Sequence, residues 1–288
     1  MKRTHAGMAI NRTTDLLYRT GHDLVDASLL RVVQRLAERF GEGIRSYYLT
    51  GSYADGTAVE FSDVDLVVVA KNLTDSPDIQ RVINLSAPSW PVFEKTVIST
   101  YQLTDPLYGQ ILVHLKGTGK LLYGESITDS IALPPIEEYQ RQTMDECRRG
   151  IGMLRDADTV SLPLSYPSPH EDFYGYVRIT RPRWYPPMMP RGTKELAAVV
   201  SKSATALVAL KGEYVPSRIR AVELYTTLVS DEWTAFIRDV HISCRETWGY
   251  RVPEDERDRA HLRELCQTML AFETHCLEVF EHQQGKTK

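Results

Sequence analysis

Residues Asp63-Val64-Asp65-Leu66-Val67-Val68-Val69-Ala70 constrain the fold more than any other stretch of the chain. A run this apolar and β-branched favours a strand covered on both faces. Two carboxylates open it. At i and i+2 a strand puts both on one face, roughly 6–7 Å apart by strand rise. Paired charge of one sign beside a core is costly unless a cation neutralises it. Two hard oxygen ligands suit Mg²⁺, which binds through one or two carboxylates plus substrate phosphates.

The residues upstream fit the same chemistry. Tyr47-Tyr48-Leu49-Thr50 is β-prone and ends at Gly51. Glycine lets a phosphate approach the backbone closely. Ser52 can donate to a phosphate oxygen through its hydroxyl and its N–H. A polar, Gly-containing loop is expected from there to Ser62. No G-K-[ST] follows, so this is not a Walker A loop, and it is not G-x-G-x-x-G either. The plainer reading is a polar hairpin tip, with Asp63 in a turn and Asp65 on a solvated edge. Gly-Ser, a short loop and D-x-D at the head of an apolar strand together favour the metal and phosphate reading.

Residues 47–69 resemble the signature of the nucleotidyltransferase superfamily that includes DNA polymerase beta. The resemblance implies a catalytic domain with a mixed sheet and flanking helices. It implies that Ser52 contacts a nucleoside triphosphate, with Gly51 allowing close backbone approach. It also implies that Asp63 and Asp65 hold Mg²⁺, two ions in the usual case. Such enzymes carry a third carboxylate on a neighbouring strand. The β-like segment Val92 to Leu103 offers Glu94, which shares a face with Thr96 and Ile98. Glu94 resembles the general base of the aminoglycoside adenylyltransferases. A plainer reading pairs it with Lys95 or solvent. Asp105 is a rival, weakened by Pro106, which places it in a turn. Glu60 is a second rival, more in keeping with a solvated loop. The implied reaction is in-line attack by an alcohol on the α-phosphorus of ATP or another triphosphate. Glu94 would take the alcohol's proton.

Elsewhere the chain divides. Leu29, Leu30, Val33, Leu36, Ala37 and Phe40 recur at helical spacing from Asp26 to Phe40, and Gly41 and Gly43 stop the helix. Residues 107–123 are apolar and fit a helix or a strand. After Gly124 the texture changes, and a boundary is expected at 132/133. Ile136 to Asp158 reads as a charged helix. Thr193 to Lys211 reads as a helix capped by Thr193 and stopped by Gly212. Two or three more helices fill 217–282. The fold class is therefore α+β: a catalytic domain over 1–132 and an all-helical domain over 133–288. At 288 residues, two medium domains are reasonable.

The helical half resembles, more faintly, the helical domain of the aminoglycoside adenylyltransferases. The likeness lies in residues 206–218 and in Asp231-Glu232-Trp233. Ser217 is placed to cap a helix, and Arg218 stands one residue late for the lysine of that family. Lys202 and Arg218 are proposed triphosphate contacts; surface cations are the plainer alternative. Between them, residues 161–192 are rich in proline and aromatics. Arg178, Arg181, Arg183 and Arg191 lie there among tyrosine and tryptophan. This stretch reads as a structural cover over the helical domain, or as a means of stacking on RNA bases.

Composition narrows the partners. Lys plus Arg is 34 and Asp plus Glu is 38, giving a net charge of −4. The basic surplus of a dominant nucleic-acid binder is missing. No stretch approaches the ~18 uncharged apolar residues of a membrane helix. Met1 to Asp15 has early cations and no apolar core, so a secretory signal is not expected. The four cysteines lack C-x-x-C spacing and read as reduced thiols of a cytoplasmic protein. The eight histidines show no H-E-x-x-H pattern, which disfavours zinc. The leading expectation is AMP transfer from ATP to a hydroxyl of a small molecule such as an aminoglycoside. The alternatives are a toxin-like transferase acting on tRNA or protein, and a non-catalytic nucleotide-binding regulator. In the last case Glu94 would point away from Asp63 and Asp65.

Overall fold

The computed structural model describes residues 15–72, 76–87, 92–177 and 192–286. Four strands form one mixed sheet in the order β3-β2-β1-β4. Helix α1 (Asp23–Phe40) leads into β1 (Ile44–Thr50), a single-turn α2 (Gly51–Asp55) and β2 (Val64–Ala70). Helix α3 (Ser76–Ser86) then crosses to β3 (Phe93–Ser99), which runs parallel to β2. Helix α4 (Gly109–Thr118) and β4 (Lys120–Gly124) complete the sheet, with β1 antiparallel to both β2 and β4.

The apolar run of β2 is covered on both faces, as its composition requires. Val64, Leu66, Val68 and Ala70 pack with Leu29, Val33 and Leu36 of α1 and Ile79 and Ile83 of α3. Val67 and Val69 face the other way, against Leu112 and Leu115 of α4 and Ile98 of β3. By strand alternation Asp65 belongs to this second face. The ambiguous stretch 107–123 thus resolves into both a helix and a strand, broken at Gly119. An added Cβ there would meet the Leu115 carbonyl oxygen at 2.5 Å.

The rest of the chain is helical: α5 (Ile136–Leu154), α6 (Lys194–Ala209), α7 (Arg218–Leu224), α8 (Thr234–Val240) and α9 (Glu256–Lys286). α7 and α8 each continue into a π-helical turn, Tyr225–Val229 and His241–Thr247. A second core, including Ile151, Leu196, Leu207, Ile237 and Phe272, holds these helices together. A small cluster of Val113, Tyr139 and Ala209 joins α4 to α5 and α6.

Several boundaries differ from the sequence expectation. α1 starts at Asp23, three residues early, and α5 ends at Leu154, where Arg155 closes the turn. The β-like segment 92–103 stops at Ser99. There a capping box between Ser99 and Gln102 starts a 3-10 turn. Part of the expected loop after Gly51 is the helical turn α2. Neither Thr193 nor Ser217 makes a side-chain cap bond. Thr193 Oγ1 instead donates to the Cys244 carbonyl at 3.2 Å. All four cysteines are free and buried. Among the described residues no helix is long and apolar enough to cross a membrane.

The described part of 161–192 covers the helical core. Phe173 and Tyr176 are buried in it, and Tyr166 stacks on Tyr174 at 4.5 Å. A buried ion pair fixes this cover: Arg155 reaches Glu273 at 2.5 and 3.1 Å, and Tyr176 donates to the same carboxylate at 2.7 Å. Arg178, Arg181, Arg183 and Arg191 lie outside the described residues.

Candidate active site

The carboxylates sit where the strand register puts them. Asp65 is paired with Glu94 across the parallel β2–β3 ladder, and with Thr50 across β1. Asp63 precedes β2 and is buried at 9% exposure. The three acids are therefore one cluster at the end of adjacent strands. Burial first, and Glu94 second, push the Asp65 carboxyl up to about 7, against the lowering pull of Arg218. Burial and then Asp63 push Glu94 up as well. Asp63 Oδ1 is buried with no donor. Groups this close and of one sign are compatible only with a shared proton or a cation.

Gly51 is fitted to the cluster. Its φ is +66°, and an added Cβ would meet Asp65 Oδ2 at 2.0 Å. Any side chain there would collide with the carboxylate and would be strained in the backbone. Ser52 follows in the first turn of α2, and both residues line a cavity of about 330 Å³.

That cavity lies between the sheet and the helical domain. Asp63, Asp65 and Glu94 line it from one side; Lys194, Lys202, Arg218, Arg245 and Tyr250 line it from the other. Every site residue proposed from the sequence thus borders one space. Arg218 is a charge counterpart of the acid cluster. Burial opposes its charge, but Tyr250, Asp65 and Glu94 outweigh that and raise its pKa. Lys202 borders the same cavity and is committed to Glu146, at 2.6 Å. The rival acids are otherwise engaged. Glu60 pairs with Arg251 at 2.5 Å at the exposed rim. Asp105 caps a 3-10 turn, accepting from Leu107 N at 3.0 Å.

Sequence reasoning missed three cations and a histidine. Lys194, the first residue of α6, is seated on Asp63 and donates to Phe61 O at 3.1 Å. Arg245 comes from the π-helical turn and donates to Thr57 O at 2.7 Å and Thr57 Oγ1 at 2.8 Å. Arg251 lies over the Phe61 ring at 5.1 Å. All three hold the loop between Ser52 and Asp63. His114 of α4 lines the cavity near Glu146 and Arg218. Burial, then Arg218, lowers its pKa to about 4, so it is neutral at physiological pH.

The donor set suits a hard divalent ion. Two carboxylates lie on one strand end, one of their oxygens is buried without a donor, and a glycine leaves room beside the other carboxylate. Among the described residues no group of three or more His, Cys, Asp or Glu side chains could hold a metal.

An acid cluster at the strand ends of a mixed sheet, fronted by Gly-Ser, defines a phosphoryl-transfer type of domain. Residues 29–101 match the model of the nucleotidyltransferase domain family, and the first part of the chain is such a domain. The Methanocaldococcus jannaschii protein named "Putative protein adenylyltransferase" is 58% identical over 41 residues. That match takes in 14% of this chain and 28% of the relative, so the chain spans under a third of that protein's length. A solved structure of spectinomycin adenyltransferase AAD(9) from Enterococcus faecialis, with ATP and spectinomycin, aligns with a TM-score of 0.50. The alignment covers 86% of this chain and 98% of the other, at 12% identity. The two share a fold over that span.

Proposed function

We propose that the chain is a Mg²⁺-dependent nucleotidyltransferase that moves a nucleoside monophosphate, AMP from ATP in the first instance, onto a hydroxyl and releases pyrophosphate. The observation that carries this reading is the register pairing of Asp65 with Glu94 beside Asp63, in a cavity fronted by Gly51 and Ser52. Asp63 and Asp65 would hold the ion. When bound, it neutralises the phosphates and the charge that develops on attacking and leaving oxygens. Ser52 and the Gly51 backbone receive the triphosphate. Arg218, kept cationic by its acid neighbours, stabilises negative charge on the same group. Glu94 takes the proton of the acceptor hydroxyl. Its raised pKa brings its basicity nearer to working pH, which favours general-base catalysis. The orientation of Glu94 toward Asp63 and Asp65 supports a catalytic reading over a purely regulatory one.

The acceptor is a small hydroxyl compound, with the aminoglycoside class suggested by the fold shared with the spectinomycin enzyme. A protein hydroxyl is the second reading, favoured by the name of the M. jannaschii relative. The test is incubation with α-labelled nucleotides, Mg²⁺ and separate pools of aminoglycosides, tRNA and proteins. Transfer to the aminoglycoside pool, lost in Asp63→Asn, supports the first reading. Label in the protein pool alone would move the assignment to the second. No label in any pool, with no pyrophosphate released, would remove the enzymatic reading.

A further inference from the structure

The cation seated on Asp63 is a side chain of the helical domain. Lys194 Nζ contacts Asp63 Oδ2, and the two side chains are only 15% and 9% exposed. The backbone before Lys194 is tied to the rest of the helical domain. The preceding Thr193 is held at both ends, its N–H donating to Tyr250 O at 2.8 Å and its hydroxyl to Cys244 O at 3.2 Å. Gly192 is bridged to Arg251 in addition. Rotation of the lysine side chain frees Asp63 without breaking these contacts. The Tyr250 ring lies 6.0 Å from Nζ and lines the same cavity.

An ammonium and a divalent ion cannot share one carboxylate oxygen, because the two cations repel at contact distance. A metal ion arriving alone must either displace Lys194 from Oδ2, leaving a half-buried ammonium without a counter-charge, or bind at the unpartnered Oδ1 against the repulsion of the ammonium beside it; both are costly. A triphosphate entering over Gly51 and Ser52 changes this balance. It brings the anionic oxygens that can take up the displaced ammonium.

We propose that Lys194 couples the entry of metal and nucleotide: it competes with the divalent ion for Asp63, and the triphosphate relieves the competition by giving the ammonium a new partner. The inference rests on the metal–nucleotide reading of the site. By linkage the same factor works in both directions, so the ion tightens nucleotide binding as much as nucleotide tightens the ion.

The test measures Mn²⁺ binding to the full chain by electron paramagnetic resonance, with and without a non-hydrolysable α,β-methylene ATP analogue. The wild type is expected to bind Mn²⁺ weakly alone and at least ~10-fold more tightly with the analogue. Lys194→Met is expected to bind Mn²⁺ alone about 10-fold more tightly than the wild type, with the analogue's effect correspondingly smaller. Lys194→Gln, which keeps a donor for Phe61 O, should behave the same way and guards against a folding loss in the methionine variant. Both variants binding Mn²⁺ alone no more tightly than the wild type would overturn the proposal. So would equal wild-type affinity with and without the analogue. Asp63→Asn separates the two levels. Unchanged Mn²⁺ binding in that variant overturns the metal reading itself. Lost binding there, with no gain in the Lys194 variants, overturns only the role of Lys194.

Discussion

The two walls of the cleft are positioned by different forces. On the sheet side, Asp65 and Glu94 are fixed by backbone pairing, with Asp65 in register with Glu94 and with Thr50, the residue before Gly51. The ladder holds the acids together in spite of their repulsion. On the helical side, Lys194, Arg218, Arg245 and Tyr250 come from separate segments of α6, α7 and the π-helical turn with its sequel. Two of these are held by the wall they face: Lys194 by Asp63 and Phe61 O, Arg245 by Thr57. The contrast teaches that Asp65 and Glu94 are placed by the sheet alone, whereas Asp63 shares its placement with Lys194. The basic wall depends on closure of the two domains. Substitutions in the first should cost activity with the fold intact. Substitutions in the second should cost activity through the position of the 56–62 loop.

The largest effect is expected for Asp63→Asn. Removing one ion ligand should lower kcat by ~10³-fold with the circular dichroism of a folded chain, while the unfolding midpoint falls because Lys194 loses its counter-charge. Glu94→Gln should lower kcat by ~10²-fold or more, with KM for the nucleotide little changed. A kcat unchanged in Glu94→Gln would place the base elsewhere. Arg245→Met tests the other wall. It removes both donors to Thr57, and we expect kcat/KM to fall about 10-fold through misplacement of the loop. The unfolding midpoint should fall too, because the buried Arg245 side chain loses its bonds to Thr57. An Arg245→Met variant with normal stability and kinetics would remove the contrast.

His114 supplies a pH test. Its pKa in the fold is lowered from 6.5 to about 4, so the unfolded chain takes up a proton that the folded chain refuses. The stability it contributes is complete above pH 6.5 and is lost as pH falls from there toward about 4. By about pH 5 the loss from this group should reach at most ~2 kcal/mol. Urea unfolding of His114→Gln should show a shallower decline over that window than the wild type. An unaltered decline would mean that His114 does not titrate abnormally. The smallest effect belongs to Glu60→Gln. Its pair with Arg251 is exposed, so stability should change by less than about 0.5 kcal/mol and kcat hardly at all.

The unequal legibility of the two walls in the sequence has the same origin. The acid wall was readable because residues 49–69 place strand, Gly-Ser, loop and D-x-D in one local pattern, and Glu94 follows as an odd charge in an apolar strand. Lys194 gave no such signal. It stood in the sequence as the first residue of a helix, and its partner Asp63 lies 131 positions away. Arg245 was hidden further by the π-helical turn, whose wider spacing escapes a 3.6-residue pattern. Arg218 emerged through the family resemblance rather than through periodicity. Lys202 was brought to the cavity, but Glu146 on α5 holds it, and no spacing links those two positions.

The central claim is that the acid wall receives a metal–triphosphate complex. Anomalous diffraction from a crystal of the chain with Mn²⁺ and α,β-methylene ATP tests it most directly. The account predicts manganese density against the Asp63 and Asp65 carboxylates, with triphosphate density over Gly51 and Ser52. Triphosphate bound away from Gly51 and Ser52, or manganese without contact to either aspartate, would contradict it.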